Sequence, residues 1–184
     1  MIFRPNEPSF CSSKHLDRDA LDEAFSCYQS QNSGCLRLIV IRCADGSRRT
    51  PNTVEVSEDR GVHGDRWEHS SKRKIVEQIA VMDMGVAEIF ANGQSLTLFG
   101  DNLFIEQDWS MWKIGERFLL GSAIFALTAE PHTGCAKFSK RFGSAALKKT
   151  VLDREKKLRG VYVHVVRGGT IQVGEVLQRL EAED

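Results

Sequence analysis

A mainly β fold with helical insertions, curling into a β-barrel, is what this 184-residue sequence predicts, and three observations lead there. From residue 35 onward, seven short apolar runs follow one another, each ended by glycine or a polar turn. Gly121-Ser122 and Gly168-Gly169 each separate two strand-like runs, as the central pair of a tight antiparallel hairpin does. The helical intervals are too irregularly placed for a repeating βαβ pattern, so a doubly wound sheet is disfavoured.

The elements follow in order. Leu16, Ala20, Leu21, Ala24, Phe25 and Tyr28 recur at helical spacing, predicting an amphipathic helix over roughly 17–31 with Gly34 to stop it. Residues 1–35 are therefore read as a helical extension and 36–184 as the barrel domain. CLRLIVIRC, NTVEVS and QIAVMDM read as strands, and a helical interval follows near 84–91. SLTLFGDNLFIE reads as a strand interrupted by Gly100, Asp101 and Asn102, and ERFLLGSAIFALTA as a hairpin. After Cys135, Phe138, Phe142, Ala145 and Ala146 keep one helical stripe to about Lys149, before the closing strands GVYVHVV and TIQVGEVLQRL.

Composition narrows the function classes. Twenty-five basic and 25 acidic residues give a net charge of zero, and 41% hydrophobic with 27% charged residues describes a globular chain, not a disordered or fibrous one. A neutral total disfavours a whole-surface nucleic-acid binder. It conceals a basic segment, 137–159, with nine Lys or Arg against Asp153 and Glu155. Five cysteines at 11, 27, 35, 43 and 135, with no CxxC pair, suit neither a disulfide framework nor a four-thiolate zinc site, and point to a reducing compartment. The opening MIFRPNEPSF has no apolar signal core, and the longest near-apolar stretch, 118–129, falls short of the roughly twenty residues a span needs. The expectation is a cytoplasmic protein with no membrane contact.

Three segments can carry chemistry. Cys135 lies in EPHTGCAKFSKRFG, after a Pro/Gly loop and at the start of a helix, with Lys137, Lys140 and Arg141 within two turns. That setting favours a thiolate, which serves as nucleophile, sulfur carrier or soft metal ligand. The plainer reading is a small buried hydrophobe, which is how the other four cysteines are read. His132 and Cys135 form half of a zinc motif with no second half, and His132 or His164 is a conceivable base for a Cys–His hydrolase. In GVHGDRWEHSSKRK, Gly64 permits close backbone approach, while Asp65, Arg66 and the following cations can hold an anion; a tight turn with a solvated basic strip is an equal contender. In LFGDNLFIE the glycine marks either a bulge or a backbone that approaches a ligand.

Taken in order, IRCADGSRRTP, GVHGDRW, GDNL, IGERFLLG, EPHTGCAKF with its following RFG, and RGVYVHVVRGGTIQVGE resemble the MOSC domain, named for the C-terminal domain of molybdenum cofactor sulfurase. The resemblance covers roughly 36–180 and rests on joint order and spacing. It implies a barrel of the pyruvate-kinase type, a pocket for the molybdenum cofactor, and Cys135 as metal ligand or sulfur carrier. Gly64, Asp65, Arg66, Asn102, Lys137 and Arg141 are the corresponding candidates for cofactor contacts. Asp101 stands where the family more often has Glu. No counterpart of the N-terminal barrel of the mitochondrial amidoxime-reducing proteins, of the pyridoxal-phosphate sulfurase module or of a ferredoxin-like cysteine cluster is present, so a standalone protein without pyridoxal phosphate is expected. The favoured activity is reduction of a small N-hydroxylated substrate, with electrons from a separate donor protein. The alternatives are a persulfide carrier charged by a cysteine desulfurase, and a non-catalytic module that docks an acidic partner or nucleic acid through 137–159.

Overall fold

The computed structural model describes residues 6–181. Its strands are β1 (Leu36–Ile39), β2 (Ile41–Arg42), β3 (Arg48–Arg49), β4 (Thr53–Ser57), β5 (Gly61–Val62), β6 (Ile79–Asp83), β7 (Leu103–Ile105), β8 (Arg117–Leu120), β9 (Ala123–Leu127), β10 (Val161–Arg167), β11 (Gly169–Gln172) and β12 (Gln178–Leu180). The helices are α1 (Arg18–Cys27), α2 (Met84–Ala91), α3 (Ala136–Phe142) and α4 (Ser144–Leu152). A seven-stranded sheet in the order β1-β7-β6-β10-β9-β8-β12 curls into half a barrel, and β11-β4-β5 forms a second sheet. The mainly β class with helical insertions is thus the observed one. Among the described residues one strand pair is parallel, β6 with β7, where α2 carries the chain across.

Alternation along the central strands feeds two cores. Ile79, Val81, Leu103, Ile105, Val161, Val163 and Val165 point into the barrel with Trp109, Phe118 and Phe125. Met82 and Phe104 point the other way, into a helical layer with Leu21, Phe90, Phe99, Phe138 and Phe142. Every residue of β6 is consequently buried, because apolar layers cover both of its faces. The Phe99 and Phe142 rings stack at 4.1 Å and hold α3 against the loop that enters β7.

Four expectations need correction. The first helix ends at Cys27, because the Tyr28 hydroxyl donates to Asp83 Oδ1 (2.5 Å) and the Ser30 hydroxyl to Asp83 Oδ2 (2.6 Å), drawing the chain out along the sheet. Gly34 instead turns the chain at φ +70°, its N–H donating to Glu106 O (2.9 Å) and its carbonyl accepting from Leu177 N (2.9 Å). Gly121-Ser122 does close the β8–β9 hairpin, but β10 and β11 do not pair with each other. At Gly168-Gly169 the chain instead leaves one sheet for the other, with Gly168 N donating to Glu58 Oε1 (3.0 Å). SLTLF is a 3-10 turn capped by Ser95, and the helix after Cys135 is broken in two at Gly143, whose φ of +96° no helix continues through. Among the described residues no helix is long and apolar enough to cross a membrane.

Candidate functional site

Asp65 joins three of the segments singled out in the sequence. Its Oδ2 accepts from Arg42 N (2.8 Å), Arg42 Nε (2.9 Å) and Asn102 Nδ2 (3.0 Å), and its Oδ1 from Arg42 Nη2 (2.7 Å) and Trp67 N (2.9 Å). Burial alone would raise this carboxyl, but the Arg42 guanidinium and the converging N–H groups outweigh it and hold the group ionised, below its usual range. Arg42 Nη1 reaches on to Gly100 O (2.7 Å), and Asn102 Nδ2 also donates to Val40 O (3.2 Å). Asp65 and Asn102 therefore face inward, with their polar atoms engaged by the chain itself. Gly64, at φ +82°, turns the chain into this knot; a Cβ there would come within 2.8 Å of Arg49 Nη2.

A second buried pair lies beside it. Arg159 Nη1 donates to both oxygens of Asp101 (2.9 and 2.7 Å), and the guanidinium carbon lies 5.0 Å from the centre of the Phe138 ring. Burial lifts the Asp101 carboxyl above its ordinary value despite Arg159 and Arg42. His132 Nδ1 is 3.5 Å from Asp101 Oδ1, and its ring lies 4.3 Å from that of Tyr162, centre to centre. Burial first, then the positive fields of Arg159 and Arg42, drive His132 well below 6.5, so it is neutral at pH 7. Among the described residues His132 Nδ1 and Arg159 Nε are buried without a hydrogen-bond partner, and both residues line a cavity of about 390 Å³. Its other walls include Thr128, Gly134, Val151, Lys157 and Gly160.

A depressed histidine has a readable consequence for folding. The unfolded chain binds a proton at His132 near pH 6.5 while the native one does not, so stability is full above that value and falls as pH drops below it. His164, which burial also lowers, acts with the same sign. Urea midpoints near pH 7.5 and about pH 5.5 are expected to differ less in His132→Asn than in wild type; an unchanged difference would show that His132 is not buried neutral.

Cys135 occupies the residue before α3 with extended backbone and an exposed side chain that makes no capping bond. On the helix beyond it, Phe138, Arg141 and Phe142 form the buried face. Arg141 Nη1 donates to Leu98 O (2.6 Å), while Arg141 Nη2 and Lys137 Nζ both reach the Glu7 carboxylate, at 3.0 and 3.2 Å. Arg48 is close enough that its guanidinium is pushed down by burial and by the fields of Arg141 and Arg42. Arg66 lies beside the Asp65 knot: its N–H donates to Arg42 O (2.7 Å), and it lines a cavity with Arg42, Trp67 and His69.

The structure thus brings Lys137 and Arg141 together at Glu7, knots Asp65 to Asn102, and sets Arg66 next to that knot through Arg42. Sequence reasoning missed Arg42, Arg48, Arg159 and Glu7, whose importance comes from partners tens of residues away. Among the described residues no hydrogen bond joins the Cys135 thiol to either His132 or His164. The remaining cysteines are not uniformly packing residues. Cys43 packs against the barrel core and Cys35 is half-buried, whereas Cys11 and Cys27 are exposed, the Cys11 thiol lying 3.0 Å from the Ser13 hydroxyl.

The MOSC domain family matches residues 86–178, half of the chain, and the protein belongs to that family. Among solved structures it is similar to the YuaD protein of Bacillus subtilis, with a TM-score of 0.60 at 15% identity over 78% of this chain and 93% of that one. YiiM from Escherichia coli gives a TM-score of 0.56 at 16% identity, covering 81% of this chain and 71% of that one. YiiM from Geobacillus stearothermophilus gives 0.53 at 16%, over 82% and 75%. At such identities the likeness is one of fold. The search of curated proteins finds no match.

Proposed function

We propose that this protein binds the molybdenum cofactor with Cys135 as its thiolate ligand to the metal, and that it reduces a small N-hydroxylated substrate. The MOSC family is associated with binding of that cofactor. The observation that carries the reading is an exposed, free cysteine on the loop between the 390 Å³ cavity lined by His132 and Arg159 and the cations of α3. The residues fit on chemistry. A soft thiolate suits molybdenum, and a pterin phosphate takes charge-assisted bonds from cations such as Lys137 and Arg141. Among the described residues there is no group of three or more His, Cys, Asp or Glu that could hold a metal ion, which suits a metal brought in on its own organic chelate and needing one protein ligand.

When bound, the cofactor supplies the redox chemistry that removes the N-bound oxygen. The chain's own residues shape and polarise the site. Arg159 and Asp101 brace the cavity wall, and the Arg42–Asp65 knot fixes the loops around Gly64 and Gly100. Neutral His132 offers an unbonded Nδ1 that donates or accepts one proton according to its tautomer. Electrons come from a separate donor protein, and a cytoplasmic location without pyridoxal phosphate completes the reading.

Metal and pterin analysis tests it, on protein from a host that makes the cofactor. Wild type and Cys11→Ser are expected to carry both, and Cys135→Ser to lose molybdenum by about tenfold or more. Wild-type protein that carries neither sinks the proposal. Exposure of Cys135 also favours a persulfide carrier as second reading. After incubation with a cysteine desulfurase, that reading predicts an adduct of about 32 Da on Cys135 that is lost in Cys135→Ser. The docking-module reading is weakened by where the basic segment spends its charge. Lys149 bridges Asp22 and Asp153, Lys157 caps backbone carbonyls of Trp109, Ser110 and Trp112, and Arg159 is held by Asp101.

A further inference from the structure

The seat formed by Lys137 and Arg141 already has an occupant from the chain itself. Glu7 accepts from Arg141 Nη2 through Oε2 and from Lys137 Nζ through Oε1, and among the described residues neither cation pairs with another carboxylate. Around it, residues 6–15 are tied down at intervals. Asn6 Nδ2 donates to Asp45 Oδ2 (3.1 Å), Cys11 N to Gln94 Oε1 (2.7 Å) and Asn92 Nδ2 to Lys14 O (3.0 Å), while His15 Nε2 lies 3.0 Å from Arg141 O. Lys140 Nζ lies 5.9 Å from the centre of the Phe10 ring.

We propose that residues 6–15 form a strap whose Glu7 occupies the place of an anionic ligand's phosphate group, so that the ligand binds by displacing the strap. The inference rests on the reading of Lys137 and Arg141 as phosphate contacts. Two features support it. The first is charge: one carboxylate faces Lys137, Arg141 and the nearby Arg48, whose Nε is buried without a partner among the described residues, so the seat keeps a positive surplus. A phosphate monoester brings up to two negative charges and three terminal oxygens, and matches three cations better than a carboxylate does. The second is the manner of attachment. No residue from 6 to 15 is buried, and the segment's contacts with Asp45, Gln94, Asn92 and Arg141 are polar, so the strap can lift at less cost than a core element.

Glu7 itself responds as a bound anion does. Burial would raise it, yet Lys137 and Arg141 bring it below its ordinary value and keep it charged at neutral pH. A charged competitor in the seat weakens binding of a second anion, and a neutral isostere removes that competition without removing the strap.

The test titrates inorganic phosphate into the full chain, as wild type, Glu7→Gln, and Glu7→Gln with Lys137→Gln, and follows trypsin cleavage after Lys14 with and without phosphate. Glu7→Gln is expected to bind phosphate about three- to tenfold more tightly than wild type. In wild type, phosphate is expected to speed cleavage at Lys14. Equal phosphate affinity in wild type and Glu7→Gln, with loss in the Lys137 variant, overturns the strap and leaves the seat standing. Absence of phosphate binding in every variant, or binding indifferent to Lys137, overturns the seat and the strap together.

Discussion

Replacing Asp65 with Asn is expected to cost about 3–5 kcal/mol of folding stability, the range for breaking a buried ion pair by removing one partner. The residue is 1% exposed and accepts five hydrogen bonds, three of them from Arg42. An amide at this position keeps the shape but turns one acceptor into a donor facing other donors, and leaves the Arg42 guanidinium buried without its counter-charge. In a chain of this length the loss corresponds to a drop of about 10 °C in melting temperature. Because Arg42 also holds Gly100 O, the loop that carries Asp101 should loosen as well, with faster amide exchange there than in wild type. A melting temperature within about 2 °C of wild type would mean the knot is not a principal support of the fold.

Gly160→Ala should be comparably damaging for a different physical reason. The residue has φ +84°, which L side chains adopt at a cost, and a Cβ there would fall inside contact distance of the Val81 carbonyl oxygen. Neither strain relaxes cheaply, since Val81 is paired with both Val161 and Leu103 in the middle of the sheet. The expected loss is about 3 kcal/mol or more, combining backbone strain of roughly 1–3 kcal/mol with displacement of a ladder hydrogen bond. Gly174→Ala provides the control, because it has a similar φ of +95° but open space around its Cβ. If the two variants unfold at the same urea concentration, the clash at Val81 contributes nothing.

The parts of the fold that were legible in the sequence are those with local causes. Val161, Val163 and Val165 alternate with Tyr162 and His164, and the barrel face follows directly from that period of two. Gly121-Ser122 closes its hairpin because β8 and β9, adjacent in the chain, pair directly with each other. Gly168-Gly169 carries the same local signal, yet there β11 finds its partner in β4, more than a hundred residues earlier, and no local pattern encodes that choice. The break at Gly143 is hidden in the sequence, because the apolar stripe of Phe138, Phe142, Ala145 and Ala146 runs across it and both helices bury onto the same layer.

The candidate site divides along the same line. Cys135 stood out through its loop and its basic neighbours, and the structure leaves its side chain exposed at the entry to α3. Asp65 stands out as well, but its partner Arg42 lies 23 residues away and nothing local announces the pair. Asp101 and Arg159 are 58 residues apart, and Glu7 and Arg141 are 134 apart. Charge pairs at such separations are set by topology, so composition shows only the sum, a neutral chain, and hides which charges are spent internally.

The central claim is that Cys135 sulfur is bonded to molybdenum in the loaded protein. X-ray absorption at the molybdenum edge, on wild type and on whatever metal Cys135→Ser retains, counts sulfur neighbours directly. One sulfur fewer is expected in Cys135→Ser than in wild type, and no change in Cys11→Ser. An equal sulfur count in wild type and Cys135→Ser, at equal molybdenum content, would contradict it.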